Sequence, residues 1–434
     1  MIKMHIFNKY RRILFQHKVL KWPVYIISFF VVIAIVAPLI SNDKPLFCIY
    51  NGNWLFPTFS AKNTIIVQTN FGQETLNYNM GKEWKLLETS FAIFPLCAYS
   101  PNTIDADNAP LKSPFDKQVI TLKNGNSVSL PYKYRHWLGT TQNGNDVLAG
   151  ILHGTKISIS VGFFSMLLAA LIGISLGAMA GYFQNSFFKV GYFQAVFIFM
   201  GIFFSWFYGF KVRSHALSNA LSAGSGNMLL QLLISLFIIS LVMLVFVFIG
   251  KKIDRLFKIN EKVISIPIDL IISRSIEVLN SIPSLLLVIT LASILTPSYI
   301  SLILIIGFLS WTHLARLVRA EYLKAKNFDY VTAGKALGFS DLQIIIKHIL
   351  PTVFPVILVQ LVFGMAGAVL VESSLSFIGV GVPLDVATWG SLLNEARNNF
   401  SAWWLVLFPG LCLFGLVFSY NKIASYLSLH QKED

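Results

Sequence analysis

Residues 157–183 read ISISVGFFSMLLAALIGISLGAMAGYF, an unbroken run without one charged side chain. A helix crosses the hydrocarbon layer with about 20 apolar residues, and nothing in an ordinary soluble core demands such a run. Similar uncharged stretches occupy residues 23–40, 190–210, 228–250, 352–371 and 402–420. The stretch 278–311 is too long for one crossing, and Thr296-Pro297-Ser298 near its middle predicts a turn that divides it. Eight spans are therefore expected. Only 12% of the 434 residues are charged, against roughly 25% for a soluble domain. Together with 37 Phe, 15 Tyr and 9 Trp, this excludes a disordered chain and a cytosolic enzyme.

The net charge of +14 would suggest nucleic acid in a soluble protein. Here the basic residues cluster in short loops, as the positive-inside rule requires of cytoplasmic segments. Lys3, Lys9, Arg11, Arg12, Lys18 and Lys21 precede the first span. Lys251, Lys252, Arg255, Lys258 and Lys262 follow the fourth, and Arg316, Arg319, Lys324, Lys326, Lys335 and Lys347 form a third group. The loops alternate with both termini cytoplasmic, so no nucleic-acid partner is needed. The first apolar run could serve as a cleaved signal, but no small-x-small cleavage site precedes Pro38, and an uncleaved anchor is expected.

Residues 41–150 fall outside the cytoplasm by parity. The runs 64–69 and 118–122 read as strands, and Lys123-Asn124-Gly125-Asn126 as a turn, so a small β-rich external insertion is predicted. Cys48 and Cys97 lie there, either bridged in an oxidising compartment or serving as unpaired small hydrophobes. Cys412 reads as packing.

Several chemical motifs fail on inspection. Gly173-Ile174-Ser175-Leu176-Gly177 matches a hydrolase nucleophile elbow, but that elbow requires a strand-to-helix turn. Gly173, Gly177 and Gly181 recur every fourth residue instead, giving a smooth face for close helix packing. Gly81-Lys82, Gly250-Lys251 and Gly334-Lys335 lack the spacing and hydroxyl of a phosphate loop, and no metal-ligand spacing is visible. No catalytic residue, bound cofactor or metal is expected. Glu372 is the clearest acid in a span, where an ionisable group faces a cavity, a partner or the interface. Arg274 and Glu277, one helical turn apart, can pair.

The decisive cytoplasmic segment runs from Asp329-Tyr330-Val331-Thr332-Ala333-Gly334-Lys335-Ala336-Leu337-Gly338 to His348-Ile349-Leu350-Pro351. It predicts a short helix ending at a left-handed Gly338. A second helix, capped by Ser340, should stop or kink at Pro351. The small residues Ala333, Gly334 and Ala336 would let another protein's surface approach the first helix.

At this segment the chain resembles the permease subunits of binding-protein-dependent ABC importers, whose loop carries Glu-Ala-Ala-x3-Gly-x9-Ile-x-Leu-Pro. Thr332, Ala333, Gly334, Gly338, His348, Leu350 and Pro351 occupy the matching positions, with the Glu, the second Ala and the Ile replaced. His136-Trp137-Leu138-Gly139-Thr140 with Gln142, Gly144 and Asp146 is similar to the C-type dipeptide and oligopeptide permeases. There Thr141 and Asn145 stand for the usual Asp and Arg. Asp269, Arg274, Glu277, Pro283, Glu372, Ser376, Trp389 and Trp403-Trp404 extend the match. Residues 41–52 resemble the variants that import microcin C and related peptides.

The resemblance implies an all-α polytopic fold of the type I ABC importer class: six core spans, an inserted hairpin and the periplasmic insertion. The expected division is 1–40 N-terminus and first span, 41–150 external, 151–184 second span, 185–262 inserted hairpin, and 263–434 core with the coupling loop 320–351. It also implies an ATPase-coupling set of Tyr330, Thr332, Ala333, Gly334, Ala336, Gly338, His348, Leu350 and Pro351. Arg274, Glu277, Pro283, Glu372, Ser376 and Trp389 are pathway or interface candidates. The implied partners are a second permease, two cytoplasmic ATPases that bind the ATP and Mg, a periplasmic or lipid-anchored binding protein, and the bilayer. The setting would be a bacterial inner membrane and the cargo a peptide. A nickel chelate or glutathione, or an ion-coupled secondary transporter, are the competing readings.

Overall fold

The computed structural model describes residues 18–60, 64–69, 72–77, 83–87, 90–121, 125–185, 189–223, 225–256, 263–383 and 386–430. The basic residues Lys3 to Arg12, Lys258, Lys262 and the Lys123-Asn124 turn lie outside them. Contacts divide the chain into a larger unit, residues 1–178 with 276–434, and a smaller one, residues 179–275.

Among the described residues, seven helices are long and apolar enough to cross a membrane, and a bent pair makes an eighth candidate. This is a multi-pass, mostly helical membrane protein. In the larger unit, α1 (Lys18–Ile40) leads into small antiparallel sheets. Strands β1 (Phe47–Tyr50), β2 (Asn53–Leu55) and β5 (Phe91–Ile93) form one sheet in the order β2-β1-β5. β3 (Thr64–Thr69) with β4 (Gly72–Asn77), and β6 (Val119–Thr121) with β7 (Ser127–Ser129), form two hairpins. Both strands expected from sequence are present, at 64–69 and within 118–122.

Cys48 and Cys97 are free, so the bridged alternative is set aside. Cys48 packs with Leu55 and Trp84 behind the first sheet. Cys97 sits in a different cluster with Tyr99 and Ala149 and donates to Asp146 Oδ1 at 3.4 Å.

The long helix α2 (Val147–Phe183) starts ten residues before its apolar run. The reason is Asp146, whose Oδ1 accepts the Ala149 N–H at 2.7 Å and satisfies a donor left open at the helix start. α2 packs on α7 (Tyr299–Ala325). A Cβ at Gly173 would lie 3.0 Å from the Trp311 carbonyl oxygen, and one at Gly177 would lie 2.6 Å from that of Ala315. The backbones meet where a larger residue would force them apart.

The stretch 278–311 departs from its expected division into two. The break at Pro297 is present, with Ser298 capping α7 by accepting from Ser301 N–H. A second break falls at 281–283. α5 (Ile268–Asn280) and α6 (Ser284–Ile294) are bent by 81° there, because Pro283 has no N–H for the preceding turn. The eight crossings are reached only if α5 and α6 count together as one.

Next come α8 (Asp329–Ala336), then a helix that begins at Asp341 and continues through α9 (Leu350–Ile378). α10 (Trp389–Arg397) and α11 (Trp404–His430) complete this unit.

In the smaller unit, α3 (Tyr192–Trp206) packs along α4 (Ser225–Leu256). Asp254 accepts from Phe193 N–H and Gln194 N–H, both at 3.0 Å, and so caps α3 with a negative charge at the favourable end of its dipole. Phe204 stacks on Phe246, with ring centroids 5.3 Å apart. β8 (Lys189–Gly191) pairs antiparallel with β9 (Val263–Ser265).

Candidate functional site

The segment 329–351 is built around one turn. Phe339 N–H donates to Gly334 O at 3.1 Å and Gly338 N–H to Lys335 O at 3.0 Å. This double closure requires a left-handed residue, and Gly338 supplies φ +79°. Ser340 then opens the next helix with a reciprocal cap. Its hydroxyl accepts from Gln343 N–H at 3.4 Å, and Gln343 Oε1 accepts from Ser340 N–H at 3.1 Å.

Gly334 has a different role from the one expected of it. It is buried, and a Cβ there would stand 3.2 Å from the Phe339 ring. Its smallness admits Phe339 rather than an outside surface. The outward face of the turn carries Thr332, Ala333 and Ala336, with Tyr330, Leu337 (74% exposed), Phe339 and Leu342 (66% exposed) around it. These apolar side chains form an exposed patch around the turn.

The platform beneath is fixed. Val331, Ile344 and Ile349 are buried, and Tyr322 OH donates to Ile345 O at 3.2 Å. His348 stacks under Phe339, with centroids 5.3 Å apart and planes 11° off parallel. Leu350 and Pro351 do not end the helix. Residues Ile344–Ile349 widen into a π turn, which absorbs the missing Pro351 N–H and lets one helical path run from Asp341 to Ile378.

Deeper along that helix, Glu372 is fully buried. Ser376 Oγ donates to Oε1 at 3.0 Å, and Ser158 and Ser373 donate to Oε2 at 3.1 and 3.2 Å. A buried carboxyl group is tolerable only with such donors, and here they tie α2 to α9. Trp389, also fully buried, donates from Nε1 to Ile151 O at 3.1 Å. Gly390 lets α10 press onto α9, since a Cβ there would reach 2.3 Å from Ser373 O. Arg274 and Glu277 are exposed on α5, and Pro283 opens α6. Ser175 is exposed, and its Oγ donates to its own helix at Leu171 O. Gly181 is buried near the end of α2.

The segment before α2 holds a second polar cluster. His136 Nδ1 lies 2.7 Å from Asp146 Oδ2, and Nε2 lies 3.1 Å from Asp105 Oδ2. Tyr99 stacks on the imidazole at 3.9 Å, and Lys85 Nζ sits 3.0 Å over the Tyr99 ring. Burial alone would lower the His136 pKa, but the hydrogen bonds and charges of Asp105 and Asp146 outweigh it and raise it. Burial pushes Lys85 down to about 7 despite those same acids. Thr141 and Asn145, at the positions of the usual Asp and Arg, bond each other: Asn145 N–H donates to Thr141 Oγ1 at 3.1 Å. A neutral pair replaces the charged one.

Comparison with known proteins now decides the class. Residues 262–431, which contain the turn at Gly338, Glu372 and Trp389, match the family described as binding-protein-dependent transport system inner membrane component. Over these residues the chain is similar to the membrane subunits of ABC importers. It is 28% identical over 389 residues to the inner membrane ABC transporter permease protein YejE of Escherichia coli strain K12, covering 88% of this chain and 84% of that protein. Over 326 residues it is 28% identical to the dipeptide transport system permease protein DppC of Haemophilus influenzae, covering 74% and 82%. A peptidoglycan transport system permease protein, YejE of Agrobacterium fabrum, is 25% identical over 401 residues, covering 88% and 81%.

The permease is thus a transport subunit whose family works with other ABC subunits and carries no ATPase site of its own. Sequence reasoning missed the Phe339–His348 stack, the role of Ser158 and the pairing of Asp105 with His136. The first could have been suspected from an aromatic just after Gly338. The other two join residues 214 and 31 positions apart, for which one sequence holds no signal.

Proposed function

We propose that this permease passes peptides across a bacterial inner membrane, paired with a second permease chain and driven by two cytoplasmic ATPases. A binding protein delivers the cargo at the opposite face. Both termini are cytoplasmic, residues 41–150 external, and the insertion 185–262 begins and ends on the cytoplasmic side. The relatives' names, dipeptide and peptidoglycan transport permeases, support a peptide-like cargo.

The observation that carries the coupling role is the turn at Gly338. It holds Leu337, Phe339 and the small residues of α8 outward on a buried platform. An ATPase groove that grips this knob moves the helical path from Asp341 to Ile378 as one lever, because no loop interrupts it. That path ends at the Glu372 cluster, so displacement at the knob reaches the joint between α2 and α9. Nucleotide binding shifts the inward–outward equilibrium to the extent that the ATPases grip one arrangement better than the other.

The test is uptake in proteoliposomes containing the full transporter. Gly338→Asp places a charge in the apolar knob and should abolish ATP-dependent peptide uptake while the protein remains in the membrane. Normal uptake by that variant would overturn the docking role.

A further inference from the structure

A cavity of about 590 Å³ opens between α10, the end of α9, the loop 141–146 and residues 101–104. Its size falls within the ordinary range of small-molecule sites. Its walls are unusual in being rich in carboxamides: Asn102, Gln142, Asn143, Asn394 and Asn398 all contribute. Each carboxamide offers both donors and an acceptor, which suits the alternating N–H and C=O groups of a peptide backbone without selecting its side chains. The described lining contains no Lys, Arg or His.

One wall carries Glu395, half-buried on α10. Its Oε2 accepts from Gln142 N–H at 3.3 Å. Burial pushes its carboxyl above the ordinary glutamate range, and that N–H with the Thr141 hydroxyl only partly offsets the effect. The other acid among the described lining residues, Asp146, is already engaged by His136. A carboxylate removed from water without a cation nearby is costly, and an arriving ammonium group relieves that cost. A free carboxylate end would meet no positive group among the described lining residues.

We infer that this cavity is a docking subsite for the amino end of a peptide, with the ammonium on Glu395 and the first peptide groups against the carboxamides. This rests on the peptide reading above and adds to it a place and an orientation for the cargo.

The test uses the full transporter in lipid nanodiscs, with tri-alanine and N-acetyl-tri-alanine as probes in titration calorimetry. The free-amino peptide should bind about tenfold tighter or more, as expected for a partly buried charge pair, and Glu395→Gln should bring the two peptides to within about twofold. Asn394→Leu should weaken both peptides and keep their ratio. Equal binding to the wild type, no binding of either, or an amino-end preference that survives in E395Q would each overturn the subsite. If E395Q fails to accumulate, Glu395→Asp serves in its place, and an undiminished preference in it counts against the subsite. ATP-driven uptake separates the two levels. Uptake with no amino-end discrimination in binding overturns the subsite alone, whereas no uptake of either peptide overturns the peptide reading.

Discussion

Phe339 and His348 stack nearly parallel across the coupling turn, nine positions apart in sequence and 5.3 Å apart between ring centroids. The stack joins the last residue of the turn to the π-widened helix below it. Phe339→Ala should therefore loosen the knob without disturbing the buried Val331 and Ile344. The expected result is a several-fold loss of ATP-driven uptake with unchanged membrane abundance, about 0.5–1.5 kcal/mol being at stake in such an aromatic pair. His348→Tyr, which keeps an aromatic ring there, should retain most of the activity.

Gly177 touches α7 more closely than any side chain could. With a Cβ placed 2.6 Å from the Ala315 carbonyl oxygen, Gly177→Val must push the helices apart. Overpacking of this kind costs about 1–3 kcal/mol. Thermal unfolding in detergent should show a clear drop for G177V, and Gly410→Ala, where nothing lies within 4 Å of the added carbon, should show little change.

Glu372 offers a sharper contrast. Replacing it by Ala strands the hydroxyls of Ser158, Ser373 and Ser376 in a buried site, whereas Gln preserves an acceptor and the volume. E372A should lose about 2–4 kcal/mol of stability and E372Q less than half of that. Equal losses would show that the hydroxyl contacts carry no energy.

His136 gives a pH prediction whose sign follows from the raised imidazole pKa. A group that binds its proton more tightly when folded adds stability below its unfolded pKa, near 6.5, and loses it as pH climbs through the folded value. Lys85, lowered to about 7, acts in the opposite sense above that pH. The difference between wild type and His136→Gln isolates the imidazole. Hydrogen exchange across residues 139–146 should show wild-type protection falling toward that of H136Q as pH rises above 6.5. A difference that grows with pH would contradict this account.

Asp254 can be tested in the insertion. Asp254→Ala removes the acceptor of two backbone donors at the start of α3, and loss of a cap costs about 0.5–2 kcal/mol. Limited proteolysis near residues 189–193 should quicken in that variant.

The spans were legible because crossing a bilayer imposes a length and forbids charge, and both are written in consecutive residues. The turn at Gly338 was legible for a similar reason, since a left-handed helix ending and a Ser cap lie within a few positions. Pro283 was seen as a motif residue but not as a bend, because the apolar run continues unbroken on its far side. The inward placement of Gly334 was also hidden. Its smallness looked the same whether it served an outside partner or Phe339, and only the ring's position decides between them. Glu372 was visible as an anomaly, but its three hydroxyl donors come from two helices that only the fold brings together.

The antiparallel pairing of residues 189–191 with 263–265 bears on how such a chain acquires extra material. Backbones paired in this way stand about 5 Å apart, so an addition whose two ends meet leaves the surrounding chain nothing to stretch or re-route. On the reading of 185–262 as an insertion, that segment should be exchangeable as a unit. Swapping it for a short turn should yield a shorter protein that still threads the membrane in the same order.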